Sequence, residues 1–133
     1  MTSTAAPEPI FFPDAEAAWR THLDTLLDVP VSVQVPNPRP SSFVRVIRTG
    51  GPRANVVVDN VQLTIECWAD TTVAAAALAS VVRAHVNAAQ GGPVGGVWCG
   101  RVAEMGGPAN LPDPSTDQYR YSWSVMAAMR GTP

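Results

Sequence analysis

Residues 61–90 read VQLTIECWADTTVAAAALASVVRAHVNAAQ, and the change of rhythm at Asp70 sets the architecture. Up to Trp68 the pattern has period two: Val61, Leu63, Ile65 and Cys67 share one face, and Gln62, Thr64, Glu66 and Trp68 the other. That alternation predicts a strand with one face in the core. Beyond Asp70 the apolar residues recur at helical spacing, with Asp70 or Thr71 placed to cap the first amides and Gly91-Gly92 to stop the helix after about Gln90. Val73, Ala74, Ala77, Leu78, Val81, Val82, His85 and Val86 cover far more than one stripe of it, and only Arg83, Asn87 and Gln90 favour water. A helix apolar nearly all round is expected to be buried on more than one side, by a sheet of its own chain or by a neighbouring subunit.

Upstream, Asp14 is a helix cap, with Glu16 at the positive end of the helix dipole. Ala15, Trp19, Leu23, Leu26 and Leu27 form the apolar stripe that follows, and Pro30 bounds it. Residues 31–35 alternate as a strand, 36–40 form a stiff proline connector, 43–48 form another strand, and 49–52 turn. From Val56 to Trp68 there is one strand or two, with Asp59-Asn60 expected as a turn or bulge. Downstream, 91–96 is glycine-rich but leaves a helix for a strand, the reverse of a phosphate-cradling loop, and reads as a C-cap and flexible turn. Strands follow at 97–105 and 119–129, joined by an irregular connection over 106–118 of a length that usually carries function. The expected fold is α+β, a mixed, mainly antiparallel sheet flanked by two helices, in one domain over residues 13–131 after a flexible arm at 1–12.

Composition removes whole classes of function. Of 133 residues 46% are hydrophobic and only 15% charged, against a usual charged share of roughly 25%, which favours a surface meant for a protein partner. The formal charge is −2 and no basic tract stands out, against a dedicated nucleic-acid binder. There is no lysine, so a Walker A loop and Schiff-base catalysis are excluded. No GxSxG, HExxH or GxGxxG motif is present, and Ser41-Ser42 lack a base, so no catalytic, cofactor or metal residues are expected. Cys67 and Cys99 could join His22 and His85 in a zinc site, but a buried, reduced pair is the better reading. His22 reads as a solvated or partly buried residue, and His85 as a hydrogen-bonded packing or interface residue. Asn110, Asp113 and Asp117 lack the alternation of a calcium loop and suit Asx turns instead. Trp19 and Trp123 read as core; Trp68 and Trp98, each opposite a cysteine, are packed under helices or exposed for a partner. Met1 to Pro9 has no signal-peptide character and no stretch is apolar enough to span a bilayer, so a soluble, cytosolic chain is expected.

Four stretches taken together carry a resemblance: Phe12-Pro13-Asp14-Ala15-Glu16 with its helix; Arg45 to Arg48 followed by Gly50-Gly51; Glu66-Cys67-Trp68-Ala69 running into the alanine-rich helix; and Gly106-Gly107-Pro108 with Pro112-Asp113-Pro114, then Arg120-Tyr121 and the strand ending Met129-Arg130-Gly131. In their order and spacing the chain resembles the tail terminator (tail completion) proteins of long-tailed bacteriophages, especially those of actinobacteria, over about residues 13–131. The resemblance implies the lambda-like tail terminator fold and a structural virion protein without enzymatic activity. It would form a ring, usually a hexamer, that caps the tail tube, stops its polymerisation and offers a surface to the head-tail connector. DNA would be passing cargo only, there would be no cofactor, and the protein would be assembled in the host cytoplasm. Candidate interface residues are Arg48, Arg53, Trp98, Asn110 and Asp113, and the loops 36–42, 49–55 and 106–118 are candidates for axial contacts with tube and connector. Arg48 and Arg53 are either partners for carboxylates of a neighbouring subunit or solvated loop residues. The rival readings are a head-side neck or adaptor protein, a small ligand-binding α+β module, and a small enzyme, the last lacking any paired nucleophile and base.

Overall fold

The computed structural model describes residues 8–133. In chain order the elements are α1 (Ala15–Asp24), β1 (Val31–Ser32), β2 (Ser42–Gly50), β3 (Val58–Ala69), α2 (Thr72–Ala88), β4 (Gly92–Val94), β5 (Val97–Glu104), β6 (Ala109–Asn110) and β7 (Tyr119–Arg130). Both helix starts are where a short polar side chain can take an orphan amide: Asp14 Oδ1 accepts from Ala17 N–H at 3.1 Å, and Thr71 Oγ1 from Ala74 N–H at 3.1 Å. The strands form one sheet in the order β1-β2-β3-β7-β5-β4. Only the β1–β2 pair is parallel. The long central pair, β3 and β7, stays in register from Val58↔Arg130 to Ala69↔Tyr119.

Both helices lie on one face of this sheet. Val61, Leu63, Ile65 and Cys67 of β3 meet Val44 and Val46 of β2 and Trp123, Val125, Ala127 and Met129 of β7 under Trp19, Leu23, Ala79, Val82 and Val86. Each large side chain buried there contributes about 1.5–3 kcal/mol of hydrophobic stabilisation. Among the described residues no helix covers the opposite face, which carries a hydroxyl ladder across three strands: Thr49 Oγ1 to Thr64 Oγ1 at 3.2 Å, and Thr64 Oγ1 to Ser124 Oγ at 2.9 Å.

The structure departs from the sequence reading at several elements. Asp59-Asn60 is not a turn: both residues are inside β3, opposite Met129 and Ala128 of β7. Asp59 tolerates burial because Arg48 Nη2 donates to its Oδ2 at 2.8 Å. The strand expected over 31–35 shrinks to two residues, since Val33 O is taken by Arg45 Nε at 2.9 Å instead of by a strand partner. The expected flexible turn at 91–96 is a hairpin. Gly95 (φ +55°) and Gly96 (φ +83°) join β4 to β5 with the paired positive φ angles of a type I′ turn. Within 106–118, β6 pairs with Ser122 and Tyr121 of β7, just past the end of the β5 ladder. Helix α1 ends at Asp24, short of Leu26 and Leu27, which continue as a hydrogen-bonded turn on Leu23 O. Of the arm expected over 1–12, residues 1–7 lie outside the described residues, while Phe11 exchanges backbone hydrogen bonds with Thr132 at 2.7 and 3.0 Å.

Candidate assembly interface

Helix α2 keeps part of its apolar surface uncovered. Ala75, Ala79, Val82 and Val86 pack on the sheet, while Val73 is 81% and Val81 50% exposed. The three residues expected to face water do so at the rim of the helix, Asn87 and Gln90 exposed and the Arg83 side chain 43% exposed, and all three reach the sheet edge from there. Arg83 makes a bidentate pair with Glu104 of β5 at 2.6 and 3.0 Å, Asn87 Nδ2 reaches the same carboxylate at 3.4 Å, and Gln90 Oε1 accepts from Val102 N–H at 3.0 Å. Arg83 holds the Glu104 carboxyl below the usual carboxylate range. With Arg83 so engaged at its rim, the outer side of α2 presents mainly valine, alanine and serine, with Asn87 exposed at its margin. Leu26, Leu27, Val29, Ala77, Leu78 and Val81 line a groove of about 270 Å³ beside it.

The two sheet edges are hindered from accepting further strands. On β2, Glu16 Oε2 accepts from Arg48 N–H at 2.8 Å; on β5, Gln90 does the same for Val102. Edge strand β4 contains Pro93, which has no N–H to give. The helix side chains that plug these edges, Glu16 and Gln90, had readable helical positions but no sequence signal for their targets.

The five candidate interface residues do not form one site. Arg48 is in β2 and not in a loop, and its guanidinium is held by Asp59 and, at 3.4 Å, by Gly50 O of its own chain. Arg53 is exposed with its guanidinium 4.6 Å from the Phe12 ring centre. Trp98 is 51% exposed and lines a mostly apolar groove of about 470 Å³ with Phe11, Phe12, Val97, Arg130 and Thr132. Asn110 is exposed on β6. Asp113 accepts from Ser115 N–H at 2.9 Å and Ser115 Oγ at 2.7 Å, the Asx turn its sequence suggested, and these bonds lower its pKa. Trp98 and Arg53 lie toward the end of the sheet where β2 meets the 51–57 loop; Asn110 and Asp113 lie toward the other.

That other end holds a cluster which sequence reading missed. Trp68 is on the helix-free face yet only 1% exposed. It stacks on Phe43 at 5.5 Å between centroids, and the Arg39 and Arg120 guanidinium carbons each lie 5.0 Å from its ring centre. Gln118 Nε2 binds the segments together, donating to Pro40 O at 2.8 Å, Ser41 O at 3.3 Å and Asp70 Oδ1 at 3.1 Å.

Cys67 and Cys99 are buried and unpaired. They stand opposite Tyr121 and Met129 of β7, eight positions apart, or roughly 25 Å at ~3.3 Å per residue. Burial pushes the Cys99 thiol up to about 11 and Cys67 further in the same direction, so neither is a reactive thiolate. Among the described residues no group of three or more His, Cys, Asp or Glu is placed to hold a metal ion, and no helix is long and apolar enough to cross a membrane.

His22 and His85 line a crevice between α1 and α2 with Leu26, Ala88, Ala89 and Pro93, and no carboxylate lines it. Burial, and then the charge of His85, lower the His22 pKa from 6.5. A group whose folded pKa is depressed binds its proton more readily in the unfolded chain. The native state therefore keeps full stability above about pH 6.5 and loses it as the pH falls below. Thermal unfolding followed by circular dichroism is expected to show a midpoint that drops between neutral pH and pH 5.5. In His22→Asn that part of the drop is lost; an unchanged profile would remove the histidine pair as its source.

Compared with protein-family models and with curated proteins, the chain matches none.

Proposed function

We propose that this chain is a structural subunit of a phage tail terminator: a homo-oligomeric ring, hexameric in the family it resembles, that caps the tail tube and presents a joining surface to the head-tail connector. The observation that carries the reading is the outer face of α2. Val73 and Val81 are largely solvent-exposed in the single chain, on a helix whose one charged residue is tied to Glu104. An uncharged, apolar helix face is poorly suited to water and well suited to a neighbouring subunit. The loops support the axial contacts such a ring requires. Residues 36–42 and 106–118 meet at one end of the strands through Gln118, and 49–55 lies at the other, so one end would serve the tube and the other the connector. The role is carried by shape, with DNA as passing cargo, in the head-proximal end of the virion tail.

Electron microscopy of a phage lysate depleted of the protein tests this reading. Tail tubes longer than normal and without heads are the expected result. Tubes of normal length lacking heads would overturn the terminator role in favour of a head-side neck or adaptor protein.

A further inference from the structure

The two broad faces of the molecule differ in charge as well as in composition. On the helix-free face the side chains of Arg45, Arg101, Arg120 and Arg130 point away from the core, and Arg39 lies over Trp68 on the same side. Glu66, 3.4 Å from Arg45 and 3.7 Å from Arg120, and Asp113, close enough to Arg120 and Arg39 to feel both, oppose them, and Asp70 lies at the same end, held by Gln118 beside Pro40 and Ser41. Five arginines against these three carboxylates leave that face basic. Around α1, on the other side, Asp14, Glu16, Asp24 and Asp28 outnumber Arg20 by three negative charges. The centre of each face is uncharged: valine and alanine on the outer side of α2, and Thr64, Ser124, Met126, Ala103 and Ala128 on the sheet.

We infer that successive copies of this chain meet head to tail, the uncharged outer side of α2 and the acidic flank of α1 in one copy seating on the bare, arginine-bearing sheet face of the next. The inference rests on the ring reading and names its subunit contact. Three observations converge on it. Opposite charge on opposite faces of one molecule is self-complementary only between copies in the same sense, and is repulsive when like faces meet. The plugged N–H groups at Arg48 and Val102, and Pro93 on β4, hinder strand-to-strand addition at those positions, which favours face-to-face packing. A helix laid on the bare face completes a sheet covered on both sides, a common layer architecture. Such a contact is heterologous: the copy at each end of the growing array keeps one unused face until the rotation per step closes the ring.

Two exposed substitutions break the two halves separately. Val81→Arg places a cation on the side that meets the basic face, and Arg101→Glu places an anion on the side that meets the acidic one. Full-length proteins, checked for unchanged thermal unfolding, are compared by sedimentation velocity up to millimolar concentration. The wild type is expected to associate, more weakly at high salt, and each variant alone about tenfold less or worse. Mixed in equal amounts, the variants should restore association but stop at a one-to-one pair, because Arg101→Glu retains a working helix side and Val81→Arg a working sheet side. Association of the wild type without rescue in the mixture would overturn this contact while leaving the ring reading intact. A wild type that stays monomeric throughout would also overturn it, and the tail-length experiment would still decide the ring. Binding of a short DNA duplex, lost in Arg101→Glu and with no self-association, would reassign the basic face to nucleic acid and overturn the inference.

Discussion

Replacing Trp68 by alanine is expected to destabilise the protein by about 3–5 kcal/mol, the usual cost of removing a large aromatic side chain from a closely packed site. Trp68 has no helix over it, so its burial depends on side chains that come from separate segments. Phe43 supports one side of the ring, Arg39 brings in the 36–42 connector, and Arg120 brings in the start of β7. The indole Nε1 also approaches Glu66 Oε1 at 3.4 Å, and that carboxylate sits between Arg45 and Arg120. Truncation leaves a cavity, exposes Phe43 and deprives both guanidinium groups of the ring they lie over. Domains of this size hold about 5–15 kcal/mol in total, so the loss is a large fraction of the whole. Urea unfolding read by far-ultraviolet circular dichroism measures it without relying on the fluorescence of the other three tryptophans. Trp68→Phe, which keeps a ring for Arg39 and Arg120, should recover more than half of the loss. A cost below about 1 kcal/mol for the alanine variant, typical of an exposed site, would show that the 36–42 connector does not depend on this stack.

What could be read from the sequence was what depends on neighbours a few residues away. The caps at Asp14 and Thr71 are local hydrogen bonds, and the period-two rhythm of 61–67 reports directly which side chains share a face. Asp59-Asn60 was misread because its strand conformation depends on Arg48, eleven positions earlier, neutralising a carboxylate that would otherwise be too costly to bury. Gly95-Gly96 carried a turn signal, and the signal was correct; the short strand before it, held by Val94↔Val97 and two further pairs, had no apolar run to announce it. Trp68 and Trp98 look alike in sequence, each beside a buried cysteine. They part company because 36–42 and Arg120 fold over the first, while the groove at the second is left open to solvent. Helix α2 was legibly apolar on every side, yet its composition does not say which side the sheet takes. That is decided by Arg83, Asn87 and Gln90, whose partners on β5 fix the rotation of the helix and leave Val73 and Val81 outward. The candidate interface was therefore legible as a property of the helix and illegible as a set of positions.

The same hairpin turn sets the second large effect. Gly95→Ala is expected to cost about 1–3 kcal/mol for holding an alanine at φ +55°, in the left-handed region, and about as much again for overpacking. The overpacking follows from the position of α1: a Cβ built on Gly95 would lie 2.5 Å from Ala18 O and 2.7 Å from Ala18 Cα. Those are backbone atoms in the middle of a helix, unable to step aside as a flexible side chain could. Either the β4–β5 turn lifts away from α1 or the helix shifts against the core at Trp19. Gly96→Ala provides the control, because it has a positive φ of +83° with nothing within 4 Å of its Cβ. It should show the conformational cost alone. The difference in urea midpoint between the two variants thus isolates the contact between turn and helix, and equal midpoints would mean that α1 does not rest on the turn. The comparison bears on assembly too. The α1–β4 contact borders the crevice of His22 and His85 between α1 and α2. If the acidic flank of α1 and the apolar side of α2 act as one surface, Gly95→Ala should weaken self-association beyond what its remaining folded fraction accounts for, and Gly96→Ala should not.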